Sequence, residues 1–357
     1  MQSEQNSVCL FTEGDDLFNT MISEMELASS DIKLETYIFA DDEIGQQFVK
    51  VMIRKAQSNV NVRLLVDAVG SLFQFSHIGP KLEKAGVKIQ YFHRWHWRKP
   101  LRYNRRDHRK LLVIDNKKAF LGGFNIHKQS SLKYFGSKRW RDTHAMFQGS
   151  LANQAAELFD AFWWGDKKYS AITQSSAINF LVPNQSRACR QRLACIYDEA
   201  LGSAKNQICL TTPYFVPDHR TQKALLDAVN RGVNVNLLVP RNSDVRVARW
   251  AANAVYAHLL EAGVKIFEYL PRMLHAKVII VDEKWATLGT ANLDYRSLFQ
   301  NYELNLITRD RKLCRTLLDQ FEDDIKQASI VCPKKWQQRA WVPRLAEIIG
   351  WSVRRWL

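Results

Sequence analysis

The 357-residue chain lacks much of what would place it in several familiar classes. Its six cysteines (Cys9, Cys189, Cys195, Cys209, Cys314 and Cys332) show no Cys-x-x-Cys spacing. A zinc site and a disulfide framework are therefore poorly supported, and reduced, buried thiols are expected. Only 15 glycines and 9 prolines interrupt a chain that is 46% hydrophobic, which excludes a disordered one. No apolar run reaches the roughly 20 residues a membrane-spanning helix needs. The N-terminal residues lack the basic start and apolar core of a signal peptide, so any membrane contact is expected to be peripheral. Acids are also in deficit, 36 against 51 lysines and arginines, for a net charge of +15. That balance favours a polyanionic partner, an anionic membrane or nucleic acid, without choosing between them.

What the chain does have is one stretch that occurs twice. His108, Lys110, Asp115, Gly122 and Asn125 recur as His275, Lys277, Asp282, Gly289 and Asn292, each displaced by the same 167 residues (275 − 108). The surroundings repeat as well. Ala85 to Ile89 reappears word for word as Ala262 to Ile266, and Tyr37 has a counterpart in Tyr214. Such self-similarity argues for duplication. The first half alternates strands (Val8–Phe11, Ile32–Phe39, Val62–Val66) with helices. One helix is opened by a capping box at Thr12 and Asp15, one runs from Ile44 to Ser58, and one lies near Lys81. The expected units are 1–170 and 171–330, joined between a helix ending near Trp164 and a strand near Ile178, with a tail over 331–357.

Each copy reads as strand, tight turn, strand. Leu111 to Ile114 and Val278 to Val281 are unbroken apolar runs, as expected for strands buried on both faces. Side chains two apart on a strand share a face, which pairs His108 with Lys110 and His275 with Lys277 at one strand end. Asp115 and Asp282 belong to the same motif but fall at the far end beside polar turns, as scaffold carboxylates more than proton carriers. If the units pack about a pseudo-twofold axis, two His, two Lys and two Asn converge. That set suits a phosphodiester. One neutral imidazole attacks phosphorus, the opposite imidazolium protonates the leaving oxygen, and Lys and Asn hold the non-bridging oxygens. Lysine supplies the positive charge, so no metal or cofactor is expected.

The duplicated His-x-Lys-x4-Asp motif resembles the hallmark of the phospholipase D superfamily. Gly289 to Ser297, Asn301 to Glu303 and Trp140 to His144 resemble the bacterial cardiolipin synthases within it. The resemblance spans roughly residues 8 to 330. It implies an α/β fold of two phospholipase D-like units, each a mixed sheet flanked by helices, sharing one active site at a pseudo-twofold interface. It also implies a covalent phosphohistidine, with His108 as nucleophile and His275 as general acid, an order the symmetric motif does not itself fix. The implied reaction is phosphatidyl transfer between two phosphatidylglycerol molecules with release of glycerol, on the cytoplasmic side of the membrane. The alternative keeps the site and uses water, as a phospholipase D-type hydrolase or a nuclease. In the family, acids placed like Asp142 and Glu303 orient the imidazoles; either is otherwise an ordinary surface acid. Ser130 and Ser297, five residues after their Asn, are candidate phosphate donors. His93, His96, His127 and His144 lack repeat partners and read as structural or peripheral.

Two basic, aromatic segments stand outside the repeat. About ten extra residues precede His108, bringing Trp95, Trp97, Arg98, Arg102, Arg105 and Arg106. Aromatics interleaved with arginine fit nucleic-acid stacking or a lip gripping lipid phosphates, and position beside the motif favours lipid over nucleic acid. In the tail, Leu345, Ile348, Ile349, Val353 and Trp356 share a helical face flanked by tryptophan and arginine. This is either a membrane-surface helix or a helix packed on the core.

Overall fold

Leu111–Ile114 and Val278–Val281 are apolar at every position because each run is a strand covered on both sides. Leu111 and Val113 point into a core shared by the two halves, whereas Leu112 and Ile114 point into the first half's outer core. Val278 and Ile280 join the shared core, and Ile279 and Val281 face the second half's own. The computed structural model describes residues 7–72, 75–94, 97, 104–166, 177–339 and 341–354.

In the first half the strands are β1 (Val8–Phe11), β2 (Asp31–Thr36), β3 (Asn61–Asp67), β4 (Lys88–Phe92), β5 (Leu111–Ile114), β6 (Lys118–Gly122) and β7 (His144–Gln148). The helices are α1 (Gly14–Leu27), α2 (Glu43–Gln57), α3 (Phe75–Lys84), α4 (Leu132–Phe135) and α5 (Ser150–Trp163). The second half holds β8 (Asn179–Pro183), α6 (Arg187–Ser203), β9 (Gln207–Thr211), β10 (Phe215–Val216), α7 (His219–Asn230), β11 (Asn234–Pro240), α8 (Arg246–Ala262) and β12 (Lys265–Tyr269). It continues with β13 (Val278–Val281), β14 (Trp285–Gly289), β15 (Leu293–Asp294), α9 (Tyr295–Phe299), β16 (Leu304–Thr308), α10 (Arg311–Lys326) and β17 (Ala328–Ile330). After it come α11 (Pro333–Gln337) and α12 (Trp341–Ser352).

The first sheet runs β1-β7-β6-β5-β2-β3-β4 and the second β17-β12-β11-β9-β13-β14-β16-β8. Reversed, the second is the first with β17 added at its edge. Both are mixed: β2 lies parallel to β3 and antiparallel to β5, as β9 lies to β11 and β13. Side chains of α5 (Leu158, Phe159) and α10 (Leu317, Phe321) meet the inner faces of the sheets in the shared core. The two halves therefore bury apolar surface against each other, and the ends of β5 and β13 are brought together.

Three local expectations are corrected. The capping box does not form: Glu13 is the N-cap of α1 and its side chain makes no capping bond, and Asp15 instead accepts the N–H groups of Leu132 and Lys133 at the start of α4. The second strand stops at Thr36, whose hydroxyl donates to Ile38 O (3.1 Å), leaving Phe39 a lone bridge to Ile126. The six cysteines are free, but only Cys189, Cys209 and Cys314 are buried; Cys9, Cys195 and Cys332 are exposed.

Candidate active site

Each motif histidine enters at the start of its hairpin through a bridge to the other half. His108 N–H donates to Tyr302 O (2.9 Å), and His275 N–H donates to Arg141 O (2.7 Å). The orienting acids are consequently exchanged. His108 Nδ1 lies 3.0 Å from Glu303 Oε2, and His275 Nδ1 lies 2.5 Å from Asp142 Oδ2. Each imidazole is thus held by a carboxylate from the opposite half, with Nε2 left for chemistry. Asp142 and Glu303 occupy matching places two residues before the partners of Gly122 and Gly289 in β7 and β16. Their supports differ. Thr290 Oγ1 donates to Glu303 Oε2 (2.6 Å), and Glu303 N–H donates to Asn184 Oδ1 (2.5 Å). In the first half Gly123 stands in Thr290's place, and a Cβ there would meet Asp142 Oδ1 at 2.0 Å. The shorter acid packs directly onto glycine.

Both lysines are buried with their histidines. Lys110 Nζ donates to His108 O (2.6 Å), and Lys277 Nζ lies 2.8 Å from His275 Nδ1 and donates to His275 O. Burial lowers Lys110 to about 7, helped by Lys277 and opposed by Glu303. Burial lowers Lys277 to about 8, opposed by Asp142 and Glu303. The His108 imidazole is lowered by burial, with Glu303 opposing, and His275 is pushed down to about 3 by burial and then by Lys277. Burial raises Asp142, but Lys277 and His275 outweigh it and leave its carboxyl below the usual range. Two histidines, two lysines and two acids therefore share one electrostatic site.

Aromatic rings flank it. Tyr37 stands 5.1 Å from the His108 ring and 5.3 Å from Lys110 Nζ, and Trp140 stands 5.1 Å from the His275 ring. Tyr214, the repeat partner of Tyr37, bonds through its hydroxyl to both oxygens of Asp244 (2.7 and 2.9 Å). Asp294, buried and raised to about 6 first by burial, accepts the N–H of Ser297 (2.7 Å). Sequence reasoning singled out none of Tyr37, Tyr214, Asp244, Asp294, Thr290 or Asn184 as site residues. The available signals were the Tyr37–Tyr214 equivalence and the Gly289 to Ser297 stretch, which holds Thr290 and Asp294.

The remaining expected residues divide. Asn125 and Asn292 are buried; Asn125 Oδ1 accepts Ile38 N–H (3.3 Å), and Asn292 Oδ1 has no hydrogen-bond partner. Asp115 and Asp282, motif residues read as scaffold carboxylates, lie away from the histidines. They sit in tight turns with positive φ (50° and 52°), five residues along the strand, or roughly 16 Å, from their lysines. Asp115 accepts N–H and hydroxyl bonds from Ser29 and Ser30 and the N–H of Asp31; Asp282 accepts the N–H groups of Lys205, Asn206 and Gln207. Each motif aspartate ties its hairpin to the start of the neighbouring strand. Ser130 packs against Gly14, and the buried Ser297 side chain neighbours Asp294; among the described residues neither hydroxyl hydrogen-bonds to a motif histidine or lysine. Arg106 is not an open phosphate ligand, because it is buried and paired with Asp67 (3.3 Å). Trp97 and Arg105 are exposed. Trp95, Arg98 and Arg102 lie outside the described residues, as do His96 and Trp356.

Among the described residues no helix is long and apolar enough to cross a membrane, and no cluster of three metal-ligand side chains occurs. Comparison with known proteins agrees with the duplicated site. Residues 21–163 and 197–325 match the family described as cardiolipin synthase, PLD-like domain. A cardiolipin synthase of Clostridium perfringens is 34% identical over 97% of this chain and 76% of its own length. One from Geobacillus kaustophilus is 35% identical over 97% and 71%. In fold, a phosphatidylserine synthase from Haemophilus influenzae superposes with a TM-score of 0.71 at 13% identity, covering 100% of this chain and 96% of that one. With both halves matched and relatives aligned along nearly the whole chain, the protein belongs to the cardiolipin synthase family of phospholipase D-like enzymes.

Proposed function

We propose that the protein is a phosphatidyltransferase that makes cardiolipin from two phosphatidylglycerol molecules. The observation that carries this reading is the pair of imidazoles, each fixed through Nδ1 by an acid of the opposite half, beside two buried lysines. His108 Nε2 attacks phosphorus as the glycerol oxygen–phosphorus bond breaks, and His275 Nε2–H gives that oxygen its proton. The terminal hydroxyl of a second phosphatidylglycerol then passes its proton to His275, and its oxygen displaces His108 from phosphorus. Lys110, Lys277, Asn125 and Asn292 hold the non-bridging oxygens, where charge develops.

His275 is neutral while the site is empty, so it must gain a proton when substrate binds. In the empty site the Lys277 ammonium approaches His275 Nδ1 and opposes its protonation. A bound phosphate anion draws that ammonium away, the imidazole takes a proton from solvent water, and the new Nδ1–H faces the ionised Asp142 at 2.5 Å, which stabilises the imidazolium. Glu303 lies farther from His108, at 3.0 Å, which suits the nucleophile.

Peripheral contact with the cytoplasmic face of an anionic membrane belongs to the same proposal. Leu345, Ile348 and Ile349 of α12 are 50%, 63% and 57% exposed, while Gly350 on the same helix packs against Trp250 and Ala251 of α8. The helix is seated on the second half and still presents an apolar face outward, with Arg339 over Trp336 and Arg354 over Trp351 nearby. The units proposed are 1–170, 171–330 and the tail 331–357. Labelled phosphatidylglycerol in mixed micelles with EDTA should yield cardiolipin and glycerol in equal amounts. Phosphatidic acid as the main product would assign the hydrolytic alternative instead.

A further inference from the structure

A second cavity, of about 630 Å³, opens between the halves, and none of the motif histidines, lysines or asparagines lines it. Three guanidiniums do: Arg105 from the segment before His108, and Arg187 and Arg190 from the first turn of α6. No carboxylate pairs with any of the three among the described residues. Arg190 donates to Asn184 O (3.3 Å), and Arg105 presses on it closely enough to help burial lower its pKa. Asp166 is the one acid among the described residues of the wall.

A fourth guanidinium stands behind that wall. Arg109 is fully buried, lies 4.2 Å over the Phe162 ring and donates to Gln185 Oε1 (3.0 Å), and both Phe162 and Gln185 line the cavity. Its Nε and Nη1 have no hydrogen-bond partner. Glu35 lies 3.8 Å from its Nη1, beyond hydrogen-bond distance. The cavity lining also includes an aromatic cluster, with Phe92, Phe162 and Tyr302 packed at 5.2 to 5.3 Å between ring centres. Uncompensated guanidiniums beside an apolar wall recognise an anion carrying an apolar substituent. Tyr302 links this cavity to the catalytic centre, because its carbonyl accepts the N–H of His108 and its neighbour Glu303 holds the same imidazole.

We infer that this cavity is a second phosphate site, held by Arg105, Arg187 and Arg190, whose occupant is sensed at His108 through Tyr302. The ligand chemistry is a phosphate ester, from a lipid headgroup lying on the aromatic wall or from free phosphate. Calorimetric titration of the whole chain with inorganic phosphate tests it, and dihexanoylphosphatidic acid below its micellar concentration distinguishes the sources. The native protein should bind two equivalents, one at the motif lysines and one here. Arg187→Gln with Arg190→Gln should retain one, weakening the other about tenfold or more, as loss of charge-assisted bonds requires. Arg187→Gln alone sits on an exposed helical turn where folding is not at stake, and should weaken the same event several-fold. Turnover of phosphatidylglycerol by these variants should match the native rate without added phosphate and respond less to it. Tighter binding of the lipid here assigns a headgroup; equal affinity assigns free phosphate and keeps the site. A single native equivalent that the double variant keeps unchanged, or two unchanged equivalents on the double variant, overturns the inference; a single native equivalent that the double variant loses keeps it and removes the phosphate assigned to the motif lysines.

Discussion

Burial of Lys110 and Lys277 sets a pH limit on the site. An ammonium with a lowered pKa is charged below that value and neutral above it, here about 7 and about 8. Binding of a phosphodiester anion by free enzyme should therefore weaken as pH rises through 7 to 8, well before the 10.4 of an ordinary lysine. The measurement is kcat/KM from pH 5.5 to 9.5, and a limb appearing only near pH 10 would mean the lysines do not clamp phosphate. No acid limb is expected until below the ordinary histidine range, since the nucleophile His108 must be neutral and is lowered; His275 is needed protonated, so its lowering adds to the fall at high pH. Asp115→Ala tests the opposite kind of residue. It removes an anchor for Ser29, Ser30 and Asp31, so unfolding stability should fall by roughly 1–3 kcal/mol while kcat of folded enzyme changes less than severalfold. A kcat loss of about a hundredfold would return Asp115 to the chemistry. At this scale the sequence was legible where it repeats. His108, His275 and their lysines stand out by recurrence, whereas Thr290 and Asn184 act through contacts with Glu303 that no spacing reveals.

Elements were legible for a different reason. Strands buried on both faces must be apolar throughout, and each half spells its sheet order with the same succession of runs, so the duplicated α/β architecture follows from pattern alone. What pattern did not show is how neighbouring elements compete for a side chain. Asp15 is drawn to the amides of α4 and leaves α1 uncapped, and Arg106 turns inward to Asp67 although its surroundings read as a basic lip. The tail shows the same limit. Its periodicity fits a core helix and a surface helix equally, and α12 does both, seated through Gly350 with Leu345, Ile348 and Ile349 outward. Replacing those three with serine should leave the melting temperature nearly unchanged, because they are largely exposed already. It should lower binding to anionic liposomes about tenfold or more, since each apolar side chain transferred into the interface contributes up to about 1.5 kcal/mol or more. Flotation with phosphatidylglycerol vesicles reads the loss, and turnover of short-chain phosphatidylglycerol is the control. Undiminished flotation would make α12 a packing element only.

At the scale of the whole molecule, neither half contains a finished catalytic group. His108 depends on Glu303, 195 residues away, and His275 on Asp142, 133 residues away. The bridges Asp107 to Tyr302 and Arg141 to Leu274 make that exchange geometrically necessary, because each histidine strand pairs with the loop carrying the other half's acid. Assembly of the two sheets and activation of the site are thus one event. The exchange can be read kinetically with a substrate whose leaving group needs no proton, phosphatidyl-p-nitrophenol. Glu303→Gln misorients the nucleophile and should slow nitrophenol release about 10²–10⁴-fold, as it slows transfer from phosphatidylglycerol. Asp142→Asn impairs only the acid, so its defect with phosphatidylglycerol should largely vanish with nitrophenol leaving. Rapid acid quench and mass spectrometry place the phosphohistidine alongside. Rescue of Asp142→Asn with the adduct on His108 is the expected result. Rescue of Glu303→Gln with the adduct on His275 would keep the exchange and reverse the two histidines. Rescue of Glu303→Gln with the adduct still on His108 would mean that each acid serves its own half, and the crosswise assignment would fail.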